Sequence, residues 1–258
     1  MPIHFYKYQG TGNDFIMIDN RDKVFDRTDQ KDIALLCDRR FGIGADGLIL
    51  LESHPTCDFK MVYYNSDGNE SSMCGNGGRC ITAFAHFLNI IDDKAVFEAI
   101  DGIHKAEIKG DEVSLQMGDV LKVYNEESHV FLDTGSPHHV QIADNVSELD
   151  VKTIGSAIRY SDSYKSEGTN VNFVEPINAN SFKVRTYERG VEDETLSCGT
   201  GVTAVAIAMH FVGETDNNTI TLHTPGGELK VSFERFANVY KNIWLIGPAK
   251  QVYKGTIT

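Results

Sequence analysis

One six-residue pattern occurs twice in this chain, and few folds accommodate it. Cys74-Gly75-Asn76-Gly77-Gly78-Arg79 and Cys198-Gly199-Thr200-Gly201-Val202-Thr203 each set a thiol just ahead of glycines and then of an apolar run. After the first, Ile81, Phe84, Ala85 and Leu88 recur at helical spacing. Val202, Val205, Ala206 and Met209 do the same after the second, and Gly213 offers a stop. Each cysteine is therefore expected at a helix N-terminus, where free N–H groups and the positive end of the helix dipole favour thiolate over thiol. The same N–H groups can hold a carboxylate.

The pattern sits inside a longer repeat. Phe59-Lys60-Met61-Val62-Tyr63-Tyr64-Asn65-Ser66-Asp67-Gly68 leads to Cys74, and Phe182-Lys183-Val184-Arg185-Thr186-Tyr187-Glu188-Arg189-Gly190 leads to Cys198. Both are strand-like runs that end in a polar turn. The chain reads as a duplication, and 258 residues suffice for two domains of about 125. The expected halves are 1–118, carrying Cys74 and possessing room for the C-terminal strand, and 119–258, carrying Cys198.

Composition narrows the function classes. A net charge of −13 with no Lys/Arg cluster leaves no phosphate track, which excludes a nucleic-acid footprint. No apolar run reaches membrane-spanning length, and the start of the chain has no signal-peptide pattern; the cytoplasm is the expected location. Five cysteines, without a Cys-x-x-Cys pair, fit a reducing compartment better than a disulfide framework. The nine histidines lack metal-ligand spacing, so no metal is expected. Cys37, Cys57 and Cys80 read as packing residues.

Along the first half, strands at 3–8 and 15–19 flank the turn Gly10-Thr11-Gly12-Asn13-Asp14. A helix follows from Asp29 to Arg39, and then the glycine-rich loop Gly42–Gly47 before the strand Leu48–Leu51. That loop lacks the Lys-Ser/Thr ending of a P-loop and the strand-then-helix setting of a dinucleotide fingerprint, so nucleotide binding is not expected. After the Cys74 helix come strands at Ala95–Ala99, Lys105–Ile108 and Val113–Met117. In the second half, strands near Val130–Asp133 and Val140–Ala143 flank the turn Gly135-Ser136-Pro137-His138. A helix is expected over Ser147–Ile158, then a strand carrying Asn170, and hairpin-like strands from Thr219 to Ile246. The expected fold class is α/β (α+β). Two similar pseudo-symmetric domains each wrap a curled, mostly antiparallel sheet around a central helix, with the active site in the cleft between them.

Gly12-Asn13-Asp14-Phe15, Asn65-Ser66-Asp67-Gly68, Cys74-Gly75-Asn76-Gly77, Tyr187-Glu188-Arg189-Gly190 and Cys198-Gly199-Thr200-Gly201 together resemble the diaminopimelate epimerase family, over essentially the full length. The resemblance implies a cofactor-independent isomerase that interconverts LL- and meso-2,6-diaminopimelate on the route to lysine and peptidoglycan. It implies Cys74 and Cys198 as the base and acid pair. Asn13, Asn65, Asn170, Glu188 and Arg189 would bind substrate, and Gly75-Asn76 and Gly199-Thr200 would offer backbone N–H groups to the reacting carboxylate. His138 and Glu188 match positions that tune the thiols, and Tyr253 matches a tyrosine of a homodimer interface. Many members carry Gly-Asn-Pro-His where this chain has Gly135-Ser136-Pro137-His138, which makes Ser136 a weaker ligand; some carry glutamine at Gly47.

The chemistry explains the residue types. Inverting an α-carbon needs proton removal on one face and delivery on the other, which one thiolate and one thiol perform in either direction. The developing carbanion must be met by preorganised dipoles, which helix N-termini supply. Arg189 offers a fork for a carboxylate, and Glu188 and the asparagines suit an ammonium. A racemase of another amino acid on the same scaffold, proline- or histidine-racemase-like, is the alternative. A second charged centre on the substrate separates the two, because Glu188, Arg189 and Asn170 need one and proline has none.

Overall fold

The computed structural model of the chain describes residues 2–257. Among them the strands run, in order, β1 Ile3–Gly10, β2 Asn13–Asp19, β3 Gly47–Glu52, β4 Phe59–Asn65, β5 Glu70–Ser71, β6 Lys94–Ala99, β7 Gly102–Lys109, β8 Glu112–Gln116 and β9 Val123–Asn125. They continue with β10 Val130–Asp133, β11 Pro137–Ile142, β12 Asn170–Asn178, β13 Ser181–Glu188, β14 Asp193–Thr195, β15 Thr219–Thr224, β16 Gly227–Phe236, β17 Val239–Pro248 and β18 Lys250–Ile257. The α-helices are α1 Gln30–Cys37, α2 Gly75–Phe87, α3 Val151–Arg159 and α4 Gly199–Val212. The chain divides into two compact units, Met1–Leu115 with Gly247–Thr258, and Gln116–Ile246.

In the first unit, β18, β1 and β2 pair antiparallel in that order, β2 runs parallel to β3, β3 antiparallel to β4, and β4 parallel to β6, which continues antiparallel to β7 and β8. The second unit repeats the order. β9, β10 and β11 are antiparallel, β11 runs parallel to β12, β12 antiparallel to β13, and β13 parallel to β15, which continues antiparallel to β16 and β17. Parallel neighbours need a crossover connection. In both units the cysteine helix is that crossover, α2 between β4 and β6 and α4 between β13 and β15. The duplication read from the motifs thus extends to the pairing order of every principal strand.

Both cysteine helices are enclosed. From Gly75 to Ala85 every residue of α2 is buried, and α4 is buried from Gly201 to Met209. Phe84 and Ile81 are fully covered, each contributing about 1.5–3 kcal/mol relative to exposure. On the other face of the first sheet, Ile33 and Cys37 of α1 join Ile16, Ile18, Leu48, Leu50 and Val62. With both faces covered, β2 and β3 carry continuous apolar runs rather than an alternation. Gly213 ends α4 in the left-handed region, at φ 85°, where glycine carries no Cβ penalty.

Two local expectations are corrected. The helix expected over Ser147–Ile158 is a 3-10 turn at Val146–Glu148 followed by α3, because the Asp150 carboxylate accepts the Thr153 N–H at 3.1 Å and caps the helix there. His138, read as part of a turn, lies inside β11, opposite Leu132 and Asn170. Among the described residues no helix is long and apolar enough to cross a membrane.

Candidate active site

Cys74 is the N-cap of α2, and its Sγ accepts the Gly77 N–H at 3.2 Å. A Cβ on Gly77 would lie 3.1 Å from that sulfur, so glycine lets the amide approach it. Asn13, at the start of β2, stands with Oδ1 4.0 Å from Cys74 Sγ and 3.4 Å from Asn76 Nδ2. Its other end is fixed: Asn13 Nδ2 donates to Asp46 Oδ2 at 2.6 Å. Asp46 in turn belongs to an ionic cluster. Arg39 reaches Asp46 at 2.8 Å and Asp14 at 2.7 Å, and Lys7 reaches Asp14 at 2.8 Å. Burial opposes ionisation of Asp14, but the hydrogen bonds from Arg39 and Lys7 outweigh it and hold the carboxyl down at about 2. Asn65 lies at the exposed end of β4, paired with Gly47.

The Gly42–Gly47 loop has its own task. Gly42 N–H bonds to Asp38 O, Ile43 and Gly44 N–H to Leu36 O, and Ala45 N–H to Cys37 O, while Lys7 Nζ donates to Gly44 O. These amides close the C-terminal end of α1 and carry Asp46 to Asn13.

Cys198 repeats the geometry as N-cap of α4, accepting the Gly201 N–H at 3.4 Å; Thr200 Oγ1 lies 3.4 Å from its sulfur. In the same unit Asn170, Ser136 and Arg189 form a cluster. Asn170 Nδ2 donates to Ser136 Oγ at 2.9 Å and to Pro137 O at 3.1 Å, and Asn170 Oδ1 accepts the Arg189 N–H at 2.9 Å. Arg189 also places its guanidinium 3.5 Å from Ser136 Oγ and on Glu167 O at 2.9 Å. Glu188 Oε2 accepts from Thr195 Oγ1 at 2.9 Å. His138 is fully buried, and burial, with the Arg189 charge adding to it, pushes its pKa down to about 3. It is a neutral imidazole at working pH.

The comparisons with known proteins cover the same span. The sequence model of diaminopimelate epimerase matches residues 5–123 and 130–252. The diaminopimelate epimerase of Flavobacterium psychrophilum is 60% identical over 99% of this chain and 100% of its own length. The chain belongs to the diaminopimelate epimerase family. The enzyme of that name from Chlorobaculum tepidum is 44% identical, over 96% of this chain and 99% of its own. Family membership makes the chain an isomerase of lysine biosynthesis that acts on a small molecule, and it does not favour the proline- or histidine-racemase reading. In fold, the chain is similar to the crystal structure of a phenazine biosynthesis protein of the PhzF family from Bacillus anthracis. The TM-score is 0.80 at 12% identity, over 100% of this chain and 99% of that one.

Against the diaminopimelate epimerase pattern, the two departures acquire physical content. A Cβ on Gly47 would fall 2.4 Å from Tyr64 O and 2.6 Å from Tyr63 Cε2, so these tyrosines hold this position to glycine. Ser136 is bonded by Asn170 and faced by Arg189, although its side chain is shorter than an asparagine. Three residues escaped the sequence reading: Asp46, which orients Asn13; Asn172, buried beside His138; and Arg79, fully buried inside α2. Arg79 stood within a quoted motif, but nothing in its spacing announces burial.

Proposed function

We propose that the chain interconverts LL- and meso-2,6-diaminopimelate with Cys74 and Cys198 as its two proton-transfer groups, without a cofactor. The observation that carries this reading is the paired cap geometry: each thiol sits at the start of a buried helix and accepts the N–H three residues on, at 3.2 Å and 3.4 Å. One thiolate removes the α-proton and becomes a thiol. The other thiol delivers its proton to the opposite face and becomes a thiolate, so the pair ends with its protonation states exchanged; that state acts on the meso isomer directly, and proton exchange with solvent restores the first state for another LL isomer. The first-turn N–H groups of Gly75, Asn76, Gly199 and Thr200 belong to the set a helix leaves without intrahelical partners. Aimed at the reacting carboxylate, each such donor contributes on the order of 3–4 kcal/mol to the carbanionic transition state.

Asn13 and Asn65 in the first unit, and Ser136, Asn170, Glu188 and Arg189 in the second, are the proposed substrate ligands. The Arg189 fork suits the carboxylate and Glu188 the ammonium of the non-reacting centre. The neutral His138 and the carboxylate of Glu188 are the proposed tuners of the thiols. The repeated strand order supports reading the two units, 1–115 with 247–258 and 116–246, as copies of one ancestral unit, each bringing one thiol. A homodimer through β18 is proposed on Val252 and Tyr253, 58% and 45% exposed; sedimentation of Tyr253→Ala as the same species as the parent would remove that assignment. A cytoplasmic location accords with five free cysteines.

Proton NMR of LL-diaminopimelate in deuterated buffer tests the reading. Loss of the α-proton signal with growth of the meso isomer is expected, abolished in Cys74→Ala and in Cys198→Ala. Exchange that survives either substitution would end the two-thiol mechanism.

A further inference from the structure

Arg159, the last residue of α3, carries a guanidinium that is nearly enclosed and only partly paired. Its side chain is 11% exposed, and Nη2 stands 3.3 Å from a carboxylate oxygen of Glu192, Oε1. Nε and Nη1 are buried with no hydrogen-bond partner among the described residues. The Tyr160 ring, its centroid 4.5 Å from Cζ, covers part of the cation. Gly168 lies against it as well: its φ is 64°, and a Cβ there would overlap the guanidinium. Donors left unmatched in the interior cost stability, and an apolar side chain of similar length would fill the place without that cost. Stability alone therefore does not account for an arginine here.

Its neighbours supply another reason. Two segments hold Arg189, and Arg159 touches both. The first is the turn after β13, where Glu192 N–H donates to Glu188 O at 2.8 Å, Glu192 Oε1 accepts the Gly190 N–H at 3.1 Å and Oε2 accepts from the Tyr187 hydroxyl at 3.0 Å. The carboxylate that closes this turn is the ion-pair partner of Arg159. The second is the segment leading into β12, where Glu167 O accepts from Arg189 Nη1 at 2.9 Å and Asn170 Oδ1 accepts the Arg189 N–H at 2.9 Å. Gly168 lies between those two acceptors. One side chain thus joins the turn that carries Arg189 to the segment that orients its fork.

The first unit uses the same device. α1 stands between the parallel strands β2 and β3 as α3 stands between β11 and β12. Arg39 follows α1, and a Cβ on Gly44, at φ 81°, would lie 2.9 Å from Arg39 Cα and 3.2 Å from its Cγ. Arg39 pairs with Asp14 and Asp46, and Asp46 holds Asn13. In each unit an arginine at the end of that helix packs on a left-handed glycine and ties down carboxylates beside a proposed substrate ligand.

We propose that Arg159 is a positioning residue for Arg189, holding its fork where the non-reacting carboxylate of the substrate binds and so setting affinity for a substrate with a second charged centre. The proposal rests on the reading of Arg189 as a substrate ligand, but one arm of its test needs no substrate. Amide hydrogen exchange, followed by NMR in the substrate-free protein, is expected to show the Arg189 and Gly190 amides at least about tenfold less protected in Arg159→Met, with the amides of α4 unchanged. Arg159→Lys, which keeps a cation for Glu192, should recover part of that loss. With LL-diaminopimelate, Arg159→Met should raise KM about tenfold while kcat stays within about threefold and both pH limbs stay in place. In an Arg189→Gln background the same substitution should change kcat/KM less than about twofold, because the residue it acts through is gone. Unaltered protection of Arg189 and Gly190 in a folded Arg159→Met would overturn the proposal, and so would a loss of kcat/KM that persists in full in the Arg189→Gln background. Should Arg159→Met not fold, Glu192→Gln, which keeps an acceptor for the Gly190 N–H and removes only the charge, carries the same expectations. Absence of α-proton exchange in the unsubstituted protein would end the epimerase reading, while the amide measurement still decides whether Arg159 holds Arg189.

Discussion

Asn172 Nδ2 lies 3.1 Å from His138 Nδ1, and this contact sets the tautomer of the imidazole. The amide cannot be turned over, because the same nitrogen donates to His139 O at 3.1 Å and Asn172 Oδ1 accepts from Thr186 Oγ1 at 2.9 Å. His138 Nδ1 is therefore an acceptor and the proton sits on Nε2, a buried atom with no hydrogen-bond partner among the described residues.

A fixed, neutral His138 makes a pH prediction. Its pKa is pushed down to about 3 by burial and the Arg189 charge, and that of His139 to about 4 by burial and His129. The unfolded chain takes up these protons near pH 6.5 and the folded chain does not. Stability is therefore full above pH 6.5 and declines as the pH falls from there toward 4 and 3. Nitrogen-15 NMR of the imidazoles should show the His138 Nε2–H tautomer unchanged from pH 8 to 5; a His138 resonance titrating near 6.5 would refute the assignment.

The ionic cluster behind Asn13 acts at lower pH. Although burial opposes it, hydrogen bonds from Arg39 and Lys7 hold the Asp14 carboxyl at about 2, below its usual value of 3.8. Because the folded pKa is the lower one, this stability is present above about pH 4 and is lost as the pH falls toward 2. Asp14 is partly exposed and shares its cations with Asp46, so it contributes no more than about 2 kcal/mol. Urea melts of Asp14→Asn should lie below the parent at pH 7 and converge with it near pH 2.5. A constant offset across that range would detach the effect from ionisation.

Glycine at the first turn of α4 is demanded by space. A Cβ on Gly201 would fall 2.6 Å from Asn172 Oδ1 and 3.3 Å from Cys198 Sγ, whereas one on Gly118 meets nothing within 4 Å. Gly201→Ala is expected to cost about 1–3 kcal/mol and to displace both the amide that orients His138 and the cap on the sulfur, with kcat falling at least ~100-fold. Gly118→Ala should stay within about 0.5 kcal/mol of the parent. Equal melting temperatures for the two variants would show that the Asn172 contact is not a constraint.

The duplicated plan was legible in the sequence, as were the two thiols at helix starts and most strands of both halves. Those features rest on local signals, helical or extended apolar spacing and a capping atom a few residues from the amide it accepts, which neighbours along the chain decide among themselves. Partners distant in the chain were not legible. Only the tertiary structure could show Asp46 on Asn13 33 residues away, Asn172 on His138 34 residues away, or the Gly42–Gly47 amides folded back on α1. The start of α3 at Val151, behind its cap Asp150, rather than at Ser147 turned on which side chain captured a free N–H. Arg79 shows the limit most plainly. Its sequence neighbours are glycines and a cysteine, and whether a guanidinium beside them meets water or is walled in depends on the strands that close over the helix. That enclosure sets the energy of the charge, and with it the difference between two motifs that look alike when read as letters.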